Sequence, residues 1–100
     1  MTNKTKLFVY GELRDEMLVT RLLGSKILRF QNITLEGYKK IKINKDEYSI
    51  EENTGSKVIG DIIEVNAKQL AILDEYEQGY ERITVSPSFN GRKAQSYIKS

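Results

Sequence analysis

The chain reads as a single α+β domain, mostly strand with two substantial helices, and three observations lead there. Short runs of β-formers recur from Lys6-Leu-Phe-Val-Tyr10 to Ala94-Gln-Ser-Tyr-Ile98, separated by turns rich in Gly and Asn. Two other segments carry helical spacing, each with a capping residue in front and a glycine behind. The whole is 100 residues with 39% hydrophobic side chains, enough for one modest core and one domain spanning residues 1–100.

Taken in order, Lys6 to Tyr10 is a short apolar run and reads as a buried strand. Gly11 breaks it, and Glu12-Leu-Arg-Asp15 leads into a helix over Glu16 to Leu23. Leu18 and Leu22, with Val19 and Leu23, supply its inner face; Asp15 is the N-cap and Gly24 the stop. A strand, a glycine turn and a helix start together expose backbone N–H groups at the strand's carboxyl end, an arrangement that suits an anionic group. Ile27 to Ile33 and Thr34 to Ile43 read as β, with a bulge or bend at Glu36-Gly37. Tyr48-Ser-Ile50 pairs with them as a short hairpin, Asn53-Thr-Gly55 is a turn, and Lys57 to Val65 is the next strand. Gly60 inside it marks a bulge or a close backbone approach. A helix over 66–77 follows. Arg82 to Val85 and Ala94 to Ile98 are the last strands, with a hairpin signal at Asn90-Gly91 and Pro87 ending or edging its strand.

Composition removes several kinds of chemistry. There is no cysteine, so neither a disulfide framework nor a thiolate zinc site exists. There is no histidine, which removes the commonest metal ligand and any His-based triad. An acid/base group must therefore be Asp, Glu, Lys or Tyr; no metal and no cofactor is expected. Sixteen bases against fourteen acids give a net charge of +2. The densest basic stretch, Tyr38 to Lys45, alternates Lys40 and Lys42 with Ile41 and Ile43, as a strand with one solvated face does, so no nucleic-acid partner is expected. Met1 to Lys6 lacks a signal-peptide hydrophobic region and no apolar run approaches a membrane span, so the expected location is cytoplasmic, away from membranes.

The end of the second helix is the most informative segment. Asn66 is an N-cap and Gln69 completes a capping box; Gln78-Gly79 ends the helix, with the glycine available for the left-handed C′ position. Asp74, Glu75 and Glu77 then crowd the negative end of the helix dipole, where bases are favoured. Leu70 and Leu73 form the inner stripe and Glu77 continues it. Dipole, like charges and partial burial all raise the proton affinity of such a carboxylate, which suits a proton-transfer group near neutral pH. The alternative is a frayed helix end with three solvated acids, and this helix alone favours it. Asp74 and Glu77 also resemble a paired-carboxylate site, but glycosidases draw such acids from separate elements around a long cleft.

Phe8-Val9-Tyr10-Gly11-Glu12-Leu13-Arg14 resembles the Tyr-Gly-Ser/Thr-Leu signature of the γ-glutamylcyclotransferase-like proteins. Leu73-Asp74-Glu75-Tyr76-Glu77, followed by Tyr80-Glu81-Arg82, resembles their Leu-Asp-x-Tyr/Phe-Glu…Tyr-x-Arg stretch, and Val58 to Val65 fits between them. The resemblance covers nearly the whole chain. It implies a barrel-like, mostly antiparallel or mixed sheet of about six strands flanked by two helices. It implies an enzyme that cyclises a γ-glutamyl amine or amide to 5-oxoproline and releases the amine. By the same resemblance Glu77 is the catalytic general acid/base, and Tyr10, Gly11, Glu12 and Leu13 form the substrate-binding loop. Arg14, Tyr80, Arg82 and Tyr97 are secondary candidates. Beside the resemblance, Tyr76 reads as a core aromatic, and packing is the favoured role of Tyr97. Arg82 serves the site or pairs with Glu81 or Asp74 on the surface.

The chain differs from the family's pattern at two places. Glu12 stands where Ser or Thr is usual, so its charge opposes an anionic substrate unless it points away or Arg14 neutralises it. Asn44 to Glu52 lacks the family's Gly-Tyr-Pro run, with Tyr48 its only echo. Two other readings compete with the enzyme: a non-catalytic small-ligand binder of the same fold, and a small β-barrel that binds RNA or a protein.

Overall fold

A computed structural model of the chain describes residues 4–99. Met1 to Asn3, part of the segment read as lacking a signal peptide, lie outside the described residues. Five strands form one mixed sheet: β1 (Thr5–Val9), β2 (Arg29–Lys42), β3 (Tyr48–Val65), β4 (Tyr80–Val85) and β5 (Ala94–Lys99), in the order β2-β3-β1-β5-β4. β1 runs antiparallel to β3 and parallel to β5; β2–β3 and β4–β5 are antiparallel pairs.

The apolar run predicted for β1 follows from its central place, where both faces are covered. Leu7 and Val9 pack with Val19, Ile63, Val65 and Leu73 on the side of the helices. Phe8 and Tyr10 pack with Leu35, Ile50, Val58 and Ile62 on the other. The close approach expected at Gly60 is present. A β-carbon there would collide with the Val9 carbonyl and come within 2.8 Å of the Phe8 ring.

The sheet has five strands rather than about six, because the four β segments read between Ile27 and Val65 merge into the two long strands of one hairpin. Glu36-Gly37 is a register shift inside β2, with Gly37 at φ +83°. Asn53-Thr-Gly55 does not reverse the chain. It lies within β3, where Tyr38 pairs with Glu52 but Glu36 pairs with Lys57. The reversal falls between the two strands, where Ile43 N–H donates to the Glu47 carbonyl at 2.9 Å and the Asn44 side chain accepts from the N–H groups of Asp46 and Glu47. The barrel is open: among the described residues the edge strands β2 and β4 do not pair with each other. The tip of the hairpin nevertheless bends back onto the far side of the sheet. Lys99 N–H donates to Ser49 Oγ and the Tyr80 hydroxyl donates to the Tyr48 carbonyl, each at 2.9 Å.

The helices form where their caps place them. α1 (Glu16–Leu23) begins with the Asp15 carboxylate accepting from Met17 and Leu18 N–H and stops at Gly24, φ +76°. α2 (Ala67–Tyr76) opens with the full Asn66–Gln69 capping box, at 2.8 and 2.9 Å. Glu77 is the C-cap of α2 rather than its last helical residue; the left-handed position falls at Gly79, φ +89°, the glycine expected to take it, now two residues past the cap. At the β4–β5 connection Asn90 and Gly91 both take positive φ and Arg92 N–H closes the turn on the Phe89 carbonyl. Among the described residues no helix is long and apolar enough to cross a membrane.

Candidate functional site

A cavity of about 350 Å³ opens where β1 ends. Its floor is Phe8 and Val9, and one wall is the turn from Tyr10 to Leu13, which continues as a single 3₁₀ turn over Glu12–Arg14. The end of α2 supplies Tyr76, Glu77 and Gln78; the β2–β3 tip supplies Asp46, Glu47 and Tyr48; Tyr80 and Tyr97 come from β4 and β5. The fold thus brings together Tyr10, Gly11, Glu12, Leu13, Glu77, Tyr80 and Tyr97 from the sequence-predicted set. Arg14 and Arg82 are not in the cavity wall. Arg14 turns to Asp61 and Asn32, and Arg82 grips Asp74 through two bonds of 2.9 and 3.1 Å.

Glu77 is half-buried, and its proton affinity rises to about 7. Burial is the largest cause, followed by the charges of Glu12 and then Glu47. The like charges acting on it are thus not its helix neighbours, as the sequence suggested. They come from the β1 turn and the hairpin tip. Asp74 is occupied elsewhere, by Arg82 and by the Tyr97 hydroxyl, which donates to it at 2.6 Å.

Glu12 is not neutralised by Arg14. Its carboxylate accepts from the Tyr76 hydroxyl at 2.8 Å, and that bond, with a smaller contribution from burial, pushes Tyr76 up to about 12. Tyr76 is accordingly no core aromatic; it is exposed at the cavity mouth. Tyr10 is buried, and its hydroxyl donates to the Tyr97 carbonyl. Burial pushes Tyr10, Tyr80 and Tyr97 above the ordinary tyrosine range. These hydroxyls therefore stay protonated and act as hydrogen-bond donors. Gly11 sits at φ −127°, and a β-carbon there would meet nothing within 4 Å. Neither a left-handed backbone nor crowding within the chain explains this glycine.

Asp46 and Glu47 were not singled out in the sequence, because they reach the cavity only through the backward bend of the hairpin. Tyr48 was the one signal of that segment. The described cavity lining holds four carboxylates (Glu12, Asp46, Glu47 and Glu77) and no lysine or arginine. Glu47 is paired with Lys99 at 3.3 Å, and its bonds to Asn44 and Lys99 hold its carboxyl below the usual range. Among the described residues no group of three or more acids is arranged to hold a metal ion.

An α+β fold with a half-buried glutamate facing a glycine-containing turn at the end of its central strand defines the class of the molecule. The family model described as gamma-glutamyl cyclotransferase, AIG2-like, matches residues 7–99, and the chain belongs to that family. Solved structures share the fold. A protein from Arabidopsis thaliana is 24% identical with a TM-score of 0.81, covering 99% of this chain and 65% of that one. A structure described as gamma-glutamyl cyclotransferase is 21% identical with a TM-score of 0.80, over 98% of this chain and 68% of that one. An uncharacterised protein from Pyrococcus horikoshii is 23% identical with a TM-score of 0.75, over 95% of this chain and 77% of that one. The chain spans about two thirds of the length of the first two. No match was found among the curated proteins.

Proposed function

We propose that the chain cyclises a γ-glutamyl amine or amide to 5-oxoproline, with Glu77 as general acid and base. The observation that carries this reading is Glu77 itself: a half-buried carboxylate whose proton affinity is raised to about 7, in the wall of a cavity faced by Tyr10 to Leu13. The substrate's α-amine attacks its own γ-carbonyl carbon. A carbon–nitrogen bond forms in the five-membered lactam and the bond to the leaving amine breaks. The Glu77 carboxylate takes the proton from the attacking nitrogen and returns it to the departing one. Atoms and charge balance without an external nucleophile, oxidant or metal. Orientation of one molecule against itself supplies much of the rate, since well-placed intramolecular attack reaches effective molarities of about 10⁵ M or more. A carboxylic acid that titrates near 7 is matched to both proton steps at neutral pH.

One observation favours a second reading, a non-catalytic binder of the same fold. Glu12 puts a charge into the cavity wall beside the loop that would take the glutamyl group. An RNA-binding reading meets the same difficulty more strongly, because all the acids lining the cavity repel phosphate. One experiment separates turnover from binding. The chain is incubated with γ-glutamyl amines, γ-glutamyl amino acids and ε-(γ-glutamyl)-lysine, and 5-oxoproline is measured. Formation of 5-oxoproline supports the enzyme. Saturable binding of these compounds without 5-oxoproline leaves the binder.

A further inference from the structure

A buried ion pair lies behind the turn that walls the cavity. Asp61 sits in β3 opposite Val9, and Arg29 opens β2; their side chains are 3% and 4% exposed and meet at 2.8 Å. Asp61 also accepts from Arg14 Nε at 3.3 Å and from Asn32 N–H at 3.2 Å. Arg29 reaches past Asp61 to the turn. Its Nη1 donates to the Arg14 carbonyl at 3.3 Å and its Nη2 to the Leu13 carbonyl at 3.1 Å. On the other side of the turn, Lys40 Nζ donates to the Tyr10 carbonyl at 3.0 Å while lying over the Tyr48 ring.

Every carbonyl from Tyr10 to Arg14 is therefore engaged. The Gly11 and Glu12 carbonyls accept from the N–H groups of Arg14 and Asp15, each at 3.0 Å. Those of Tyr10, Leu13 and Arg14 accept from Lys40 and Arg29. A loop whose carbonyls are all occupied turns little negative charge toward an incoming carboxylate or amide oxygen. A buried ion pair is a poor way to gain stability, since well-packed apolar residues do as well or better. Arg29 Nε moreover has no hydrogen-bond partner among the described residues. What apolar residues cannot do is grip two successive carbonyls with one planar fork, and a lysine at position 29 has no fork.

We propose that Arg29, anchored by Asp61, and Lys40 are positioning residues that hold the carbonyls of the Tyr10–Arg14 loop and so set the surface against which the substrate binds. The proposal rests on the cyclotransferase reading and assigns these residues no proton transfer. A loop held in place contributes to ground state and transition state alike, so its loss raises KM more than it lowers kcat. A merely structural role gives the opposite pattern: fewer folded molecules, lower apparent kcat and unchanged KM.

The test is steady-state kinetics of R29K, D61N and K40M on the γ-glutamyl compound the parent turns over fastest, with thermal unfolding measured alongside. R29K keeps a charge for Asp61 but loses the fork; its KM should rise roughly tenfold or more, the scale expected for a displaced contact surface. The pH midpoint of kcat should stay at the parental value in R29K. D61N should act in the same direction. K40M changes an exposed residue, so it remains informative if the buried variants do not fold; its KM rise should be smaller. An active parent whose folded R29K and K40M keep the parental KM, or lose kcat alone, overturns this inference and leaves the reaction standing. A parent that forms no 5-oxoproline overturns both.

Discussion

Ionised Glu77 sits half-buried beside Glu12 and Glu47, so its charge works against the fold. Its carboxyl binds a proton more tightly in the folded chain, near 7, than at the ordinary value of 4.5. The stability tied to its protonation is therefore complete below about pH 4.5 and is lost as the pH rises through 7. E77Q removes the charge and keeps the shape. The variant should match the parent near pH 4 and exceed it at pH 8 by about 1–2 kcal/mol, a figure already reduced for solvent screening. Urea unfolding at both pH values checks this, and an equal difference at both would place the carboxylate in solvent. The same substitution should lower turnover by about two orders of magnitude or more, as removal of a general acid/base does. A near-parental rate would take Glu77 out of the reaction. Glu12 offers a second residue-level test. E12Q removes a negative neighbour of Glu77 while an amide oxygen still faces Tyr76, so the rise of kcat/KM with pH should begin at lower pH than in the parent. An unmoved midpoint in the pH–rate profile would show that Glu12 does not act on Glu77. At this scale the sequence was informative about Glu77, because helix spacing pointed one acid inward. It was misleading about Tyr76, because a helix end gives no sign that a loop distant in sequence supplies a partner for its hydroxyl.

Elements whose ends carry their own chemistry were legible, and those whose ends depend on pairing were not. Asp15, Gly24, Asn66 and Gln69 are local signals, and both helices start where those residues cap them. The break read between Thr34 and the segment before it does not exist, and Asn53-Thr-Gly55 looked like a turn. Cross-strand bonds carry both stretches through as irregularities in one long hairpin, which local composition cannot report. Gly60 shows a local signal with a non-local cause. It is a glycine because β1 passes too close for a side chain, with the Val9 carbonyl and Phe8 ring in the way. G60A should therefore cost about 1–3 kcal/mol through overpacking at the β1–β3 pair. A denaturant midpoint that falls at unchanged slope would report this loss; an unchanged midpoint would mean the two strands separate more easily than the contact implies.

For the molecule as a whole, the decisive event is the return of the β2–β3 tip to the far edge of the sheet, because it carries Asp46, Glu47 and Tyr48 to the cavity. Among the contacts that hold it there are three on β4 and β5: Lys99 N–H to Ser49 Oγ, the Tyr80 hydroxyl to the Tyr48 carbonyl, and Lys99 Nζ to Glu47 at 3.3 Å. The last is exposed enough to contribute under about 1 kcal/mol. Ser49 is the strongest of the three because it is buried, at 3% exposure, and its loss leaves the Lys99 N–H without that acceptor. S49A should destabilise the chain by about 1–3 kcal/mol, the cost of an unsatisfied buried donor. The loss should be concentrated in the hairpin tip. Amide hydrogen exchange in 43–50 should accelerate more than in β1, whose neighbours on both sides remain in place. The open tip also moves Glu47 away from Glu77, removing one of the charges that raise its proton affinity, so any pH midpoint assigned to Glu77 should shift down in S49A. Uniform acceleration of exchange across the sheet, with no shift of that midpoint, would mean that the tip is a passive extension and that the cavity is complete without it.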